Sequence, residues 1–372
     1  MIKTERKACY LCTTPLQVFG AICLEMNLKQ HADIFLFDDF NEYTELGRRL
    51  QETGIFQNVY YIDFHSSLSP GNGWHIRLQI IFRMITSDKY LYSIIGQRIA
   101  YKYVYNSTAA VSKSIVTNAL CIWNKGIQII RYDEGISSYT RSERGRKGSE
   151  RFQIIKRILG WREIVDEASL VYLYQPNFCF QDAKEIRKMP FLSLNTEERT
   201  ILRSVFCTKD NQSIEIKERA IIFDTYRKQT QQNETINTLD AIYGTIVEEI
   251  GRGNIVLKAH PRSTGTVEID IPMFPYPNLP VETVYMQQSD LEDKILIAMN
   301  STAIFTPKML FNKEPRIVLL YRLVTHDPAL RRKRDETYMN MLRMYSDQSR
   351  ISIPETIDEL RGILRQWSAN DS

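Results

Sequence analysis

No window of this chain approaches the ~20 consecutive apolar residues that a membrane-crossing helix needs. Met1 to Lys7 is polar and charged and is not followed by a signal-peptide pattern. Cysteine is sparse and scattered, at Cys9, Cys12, Cys23, Cys121, Cys179 and Cys207. Cys9 and Cys12 form a C-x-x-C, but no second pair follows at zinc-ribbon spacing, and both lie in an apolar, strand-like run. They are expected to be core thiols. Scattered thiols without a secretory signal point to a reducing cytoplasm. Charge of one sign is also lacking: the net charge is +4, a weak argument for anionic partners and too mild for a nucleic-acid-binding protein. No internal repeat is visible.

What is there fits an ordinary soluble globular protein. The 372 residues favour two domains, and 43% apolar with 25% charged residues is enough to build real cores. Apolar runs at Lys7 to Cys12, Ile34 to Phe37 and Val59 to Ile62 read as strands. A Thr-Thr-Pro start sends a helix from Pro15 to about Lys29, and an amphipathic helix spans Glu42 to Thr53. This β-α-β-α-β order opens a parallel, doubly wound sheet. Helices are expected at Trp74 to Ile85, Leu91 to Gln97 and Ser112 to Leu120, and strands at Ala100 to Tyr105, Ile127 to Ile130 and Leu170 to Tyr174.

The pattern weakens from Gln175 to Lys217 and then starts afresh. Strands are expected at Ala220 to Phe223, Asn254 to Leu257, Val281 to Tyr285, Ile295 to Met299 and Arg316 to Leu320. Helices are expected at Thr235 to Ile250, Thr302 to Phe311 and Pro354 to Trp367. The expectation is an α/β chain of two Rossmann-like domains, residues 1–190 and 191–372, facing a central cleft. That is the architecture of nucleotide-sugar glycosyltransferases of the GT-B type, although fold alone does not give function.

Chemistry concentrates at strand ends. Lys258, His260 and Arg262 place three cationic or protonatable groups just past the apolar strand Ile255 to Leu257, with Pro261 fixing the chain direction. The carboxyl end of a parallel strand is where open α/β sheets bind ligands. Among five histidines only His260 has this setting, and its titration range suits protonating a leaving phosphate. Asp133-Glu134-Gly135 sets two carboxylates at another strand end, where one can serve as a general base; the same residues also suit a solvated turn. Asp224 closes Ala220 to Phe223 and is a second candidate base. Asn300-Ser301-Thr302 opens a helix and offers hydroxyls and free N–H groups to an anion, or a simple cap. Glu282 follows Pro280 at a strand start, within reach of a ribose. The basic runs Arg144 to Lys147 and Arg331 to Arg334 suit solvated faces, anionic lipid or an acidic glycan.

Taken in order, Asp133-Glu134-Gly135, His260-Pro261 and Ser301-Thr302 resemble the acidic, HP and Ser/Thr motifs of bacterial sialyltransferases. The turn from Cys12 to Gln17, the segment from Asn300 to Arg316 and Pro280-Val281-Glu282 look like glycosyltransferase family 52, which sialylates lipooligosaccharides and some capsules. The resemblance implies a GT-B fold, CMP-sialic acid as donor, and inverting transfer without metal or cofactor. The implied acceptor is a galactose-terminated glycan of lipooligosaccharide or capsule. It implies a cytoplasmic enzyme, with contact to the inner membrane's cytoplasmic face and a homodimer both open. Donor binding would fall to Lys258, Pro261, Arg262, Glu282, Asn300, Ser301 and Thr302, and acceptor binding to Thr14, Gln17, Glu134 and Gly135. His260 would assist the leaving phosphate. Some sialyltransferase families draw the base from the acidic motif, which points to Asp133. Family 52 draws it from an aspartate after the first strand of the second domain, which points to Asp224. A UDP-sugar or CMP-Kdo donor, or a non-catalytic role in glycan assembly, is the alternative.

Overall fold

The computed structural model describes residues 4–70, 73–107, 110–139, 161, 168–179, 185–190, 195–207, 214–225, 234–260, 263, 267–277, 279–325 and 327–369. The chain divides into two compact units, Met1–Phe206 and Cys207–Ser372.

In the first unit the strands are β1 (Thr4–Cys12), β2 (Asp33–Phe37), β3 (Val59–Ile62), β4 (Ile99–Asn106), β5 (Gln128–Tyr132), β6 (Leu170–Leu173) and β7 (Ile186–Lys188). They form one parallel sheet in the order β3-β2-β1-β4-β5-β6-β7. The central strands carry near-continuous apolar runs because a parallel sheet is covered on both faces; from Ala8 to Cys12 nothing is exposed. Helices α1 (Pro15–Leu28), α2 (Tyr43–Glu52), α3 (Gly73–Ile85), α4 (Ser87–Ile95) and α5 (Val111–Trp123) connect them. Thr14 caps α1 by accepting the Gln17 N–H, Pro15 takes the first helical position, and Lys29 ends the helix in a left-handed conformation. α2 lies so close to the sheet that a Cβ on Gly47 would fall 2.5 Å from the Tyr61 ring.

The boundary falls after Phe206 rather than after residue 190, because helix α6 (Thr196–Phe206) packs against α1 and α2. Leu202, Val205 and Phe206 form its buried face, and the Phe19 and Phe206 rings lie 5.7 Å apart.

The second unit repeats the scheme with β8 (Ala220–Phe223), α7 (Glu234–Ile250), β9 (Ile255–Lys258), α8 (Val281–Tyr285), β10 (Ile295–Ala298), α9 (Thr306–Phe311), β11 (Arg316–Leu319), α10 (Tyr321–Val324), α11 (Pro328–Leu342), β12 (Ile351–Ser352) and α12 (Ile357–Ala369). Its sheet is parallel, in the order β12-β11-β10-β8-β9. β8, β9 and β10 are buried throughout.

Two expectations are corrected here. Val281–Tyr285 is a short helix, not a strand. All five residues are buried, and a short apolar run looks the same in either state; Pro280 starts the turn by accepting the Thr283 N–H at 3.0 Å. The stretch Thr302 to Phe311 is not one helix but a 3-10 turn, Thr302–Ile304, followed by α9. The basic run Arg331 to Arg334 lies on α11, where Arg331 pairs with Glu355 at 3.1 Å. Arg144 to Lys147 falls outside the described residues.

Candidate functional site

Each unit gathers polar side chains at the carboxyl edge of its sheet. In the second unit three strands end side by side. Phe223 of β8 pairs with Lys258 of β9 on one side and Ala298 of β10 on the other. The strand order changes direction between β8 and β10, the kind of place where open α/β sheets take ligands. Asp224 follows Phe223 directly, and His260 and Asn300 lie just beyond Lys258 and Ala298. The fold therefore brings Asp224, His260 and the Asn300-Ser301-Thr302 segment to one edge.

Their surroundings differ. Asp224 is buried, its N–H donates to the Lys258 carbonyl at 3.0 Å, and the Tyr243 hydroxyl donates to its Oδ1 at 3.0 Å. His260 is half-buried, and its carbonyl accepts the Ser263 N–H at 2.9 Å. The Ser263 hydroxyl reaches the Thr225 carbonyl at 3.4 Å, which ties the loop after β9 to the end of β8. Pro261 and Arg262 lie outside the described residues. Asn300 is exposed, and Ser301 and Thr302 are half-buried. Ser301 caps a three-residue turn by accepting the Ala303 N–H at 3.3 Å, so the aligned dipole behind it is shorter than that of the expected helix.

Lys258 and Glu282 turn inward. The Lys258 ammonium donates to the carbonyls of Leu279 (3.1 Å), Pro277 (3.2 Å) and Tyr276 (3.4 Å) and sits 4.5 Å from the centre of the Phe274 ring. Burial lowers its pKa to about 8, with the Glu282 carboxylate pulling the other way. Glu282, buried in the first turn of α8, is pushed up by burial and drawn down by Lys258.

In the first unit the corresponding edge lies where β1 stands between β2 and β4. Gln17, in the first turn of α1, is the hub. Its Oε1 accepts from Thr13 N–H (2.7 Å), Thr13 Oγ1 (3.1 Å) and the Lys113 ammonium (3.3 Å), and its Nε2 donates to Glu134 at 3.1 Å. Thr14 is exposed beside it. Lys113 is fully buried, also reaches Ser107 Oγ at 3.4 Å, and has its pKa lowered to about 8 by burial against the pull of Glu134. Arg131, also buried and lowered by burial, faces the same carboxylates.

Asp133 is 1% exposed. Its carboxylate accepts from Gly135 N–H (2.8 Å), Tyr174 N–H (3.1 Å) and the Tyr139 hydroxyl. These bonds hold the turn, in which Gly135 has a φ of 102° that few other residues adopt. Glu134 is the more exposed of the two carboxylates, half-buried, with its N–H on Ser138 Oγ at 3.2 Å.

No family model and no curated protein matches this chain. Among solved structures it is similar to UGT89C1 of Arabidopsis thaliana complexed with UDP-L-rhamnose, with 9% identity over 100% of this chain and 91% of that chain and a TM-score of 0.52. CalG4, the calicheamicin glycosyltransferase, matches with 10% identity over 100% and 94% of the two chains and a TM-score of 0.48. The fold is GT-B. The chain shares this fold with the first match, has the two parallel sheets of that class, and is of the fold class expected from the sequence.

Within this GT-B chain, Lys113, Ser107 and Asn106 were not singled out from the sequence. Asn106, at the end of β4, is fully buried, and its Oδ1 has no hydrogen-bond partner. The available signal was Lys113 itself, the one charged residue in the run Val111–Trp123. Cys9 and Cys12 are free, buried thiols; the Cys12 Sγ lies 3.3 Å from the Tyr132 hydroxyl, and burial raises its pKa to about 12. One group among the described residues has the make-up of a metal site: Asp38, Asp39 and His65, whose ligand atoms lie within 4.8 Å of one another. Asp38 already accepts from the N–H groups of Phe64, His65 and Ser66 and from Ser66 Oγ. Burial alone would raise its pKa, yet these bonds hold it below the usual carboxylate range.

Burial raises the pKa of Asp133 to about 6 against its hydrogen bonds. The folded chain therefore holds an extra proton between roughly pH 4 and the folded value, and stability from this group falls as pH rises through that window. Asp133→Asn is expected to remove that slope. It also sets an amide N–H against a backbone N–H, at a cost of about 1–3 kcal/mol in urea unfolding at pH 7.

Proposed function

We propose that this protein is an inverting, metal-independent sialyltransferase that moves sialic acid from CMP-sialic acid to the terminal galactose of a lipooligosaccharide or capsular glycan. The observation that carries the reading is the meeting of Asp224, His260 and Asn300-Ser301-Thr302 at one sheet edge of a GT-B chain. Their placement at a change of strand order suits a nucleotide-sugar donor.

Asp224 acts as the base. Asp133 is committed to three bonds within its own turn and lies in the first unit, whereas Asp224 lies on the same sheet edge as His260. The acceptor hydroxyl gives its proton to Asp224 while its oxygen bonds to the anomeric carbon. The bond from that carbon to the phosphate oxygen breaks, and His260 donates a proton or hydrogen bond to the departing CMP. Arg262, Ser301, Thr302 and Asn300 supply the remaining donors to the phosphate. In the first unit, Thr14 and Glu134 are the more accessible polar groups at the sheet edge, with Gln17 and Lys113 buried behind them. Lys258 supports the edge from inside through its bonds to the Tyr276, Pro277 and Leu279 carbonyls, with the Glu282 carboxylate offsetting its charge.

A UDP-sugar donor is the second reading, favoured by the likeness to a structure complexed with UDP-L-rhamnose. Thermal unfolding in EDTA separates the two. CMP is expected to raise Tm by several degrees and UDP to leave it unchanged. A shift with UDP alone moves the assignment to the second reading, and a shift with neither sinks both.

A further inference from the structure

One face of α3 is left apolar and uncovered. Trp74, Leu78, Phe82 and Ile85 are 66%, 45%, 66% and 58% exposed. At about 100° per residue they fall within a single arc of roughly 80°. The opposite side holds the helix to the domain. Met84 is buried, Gln79 bonds both the N–H and the carbonyl of Ser69, and the Arg83 guanidinium donates to the Phe64 and Ser67 carbonyls. The orientation of the stripe is thus fixed by the fold.

The geometry points to a bilayer surface rich in anionic headgroups as the occupant of this face. The charges decide it. α3 carries Arg77 and Arg83 and no acidic residue. Arg83 is held by backbone carbonyls, but exposed Arg77 and, in the hollow between α3 and α4, exposed Lys89 set cationic groups beside Leu78 and Phe82, as at a headgroup boundary. Asp88, the acidic residue in the first turn of α4, already pairs with Arg98 at 3.3 Å. A second copy of the chain placed face to face would bring these like charges together, which disfavours a two-fold dimer through this surface. Thirteen residues span about 20 Å, too short to cross a bilayer, and no described helix is long and apolar enough to do so. α3 therefore lies in the interface, with Trp74 and Phe82 at acyl-chain depth.

The test is sedimentation of the whole protein with sucrose-loaded vesicles of phosphatidylethanolamine and phosphatidylglycerol, beside vesicles of phosphatidylcholine alone, in low salt. The protein is expected to sediment with the anionic vesicles, and its tryptophan emission to shift to the blue. Trp74→Ser with Phe82→Ser is expected to weaken binding at least about tenfold, with Tm unchanged because both side chains are solvent-facing. Arg77→Glu, a change outside the apolar stripe, is expected to weaken binding to the anionic vesicles. Equal sedimentation of wild type and the double variant overturns the proposal. So does a lipid-free dimer, seen by analytical ultracentrifugation, that the double variant dissociates. The readout is binding, so it stands whichever sugar donor the enzyme uses.

Discussion

His260→Ala is expected to lower turnover by about 10²- to 10⁴-fold, the usual range for removing a positioned proton donor. Its Tm should stay within about a degree of wild type, since the side chain is half-buried at a loop and fills no core. The size of the loss follows from the leaving group. In the proposed transfer the departing nucleotide gains charge on one phosphate oxygen, and a donor from His260 at the strand end would meet that charge without reorganising solvent. The defect should fall on kcat more than on KM, because the contact strengthens only as the bond breaks. His260→Gln should recover part of the rate through a neutral hydrogen bond. Activity unchanged in His260→Ala would remove the histidine from the mechanism.

Lys258→Met is expected to act differently, costing about 2–4 kcal/mol of unfolding free energy. Three carbonyls, those of Tyr276, Pro277 and Leu279, lose their common donor. An unsatisfied buried acceptor costs about 1–3 kcal/mol, and relief from burying a cation offsets part of the sum. Glu282 also loses the charge that opposes its burial. The sign with pH is defined. The folded pKa of Lys258, about 8, lies below that of a free lysine. The unfolded chain thus binds the extra proton between about pH 8 and roughly pH 10.5, and this group's contribution to stability rises across that window. Urea unfolding from pH 7 to pH 10 should show a steeper rise in wild type than in the variant, in which Lys113, also lowered to about 8, still contributes. An unchanged Tm together with lost nucleotide binding would instead put the lysine on the phosphate, the role its sequence position alone suggests.

That contrast shows where sequence reading stops. The strands Ile34 to Phe37 and Ala220 to Phe223 were legible because buried parallel strands are uninterrupted apolar runs bounded by polar turns. The cap at Thr14 and the proline after it gave α1. Val281–Tyr285 was misread because a five-residue buried segment has no period to measure. Pro328–Leu342 was missed because its charged residues mask any apolar stripe. At the site, position along a strand located Asp224, Lys258 and His260, since chain order fixes which edge they reach. Direction was not legible: whether Lys258 faces a ligand or the carbonyls of Tyr276 to Leu279 depends on a segment about twenty residues further on. Lys113 meets Gln17 and Glu134 only once β1, β4 and β5 lie side by side. Asp133 was readable as a carboxylate at a strand end, but its three hydrogen bonds come partly from Tyr174 on the neighbouring strand's exit.

The measurement that tests the account most directly is release of CMP from CMP-sialic acid by the wild-type protein in EDTA, with and without lactose. The account predicts turnover that needs lactose, survives EDTA and yields one sialylated product per CMP released. No lactose-dependent CMP release, alongside turnover of a UDP-sugar under the same conditions, would contradict it.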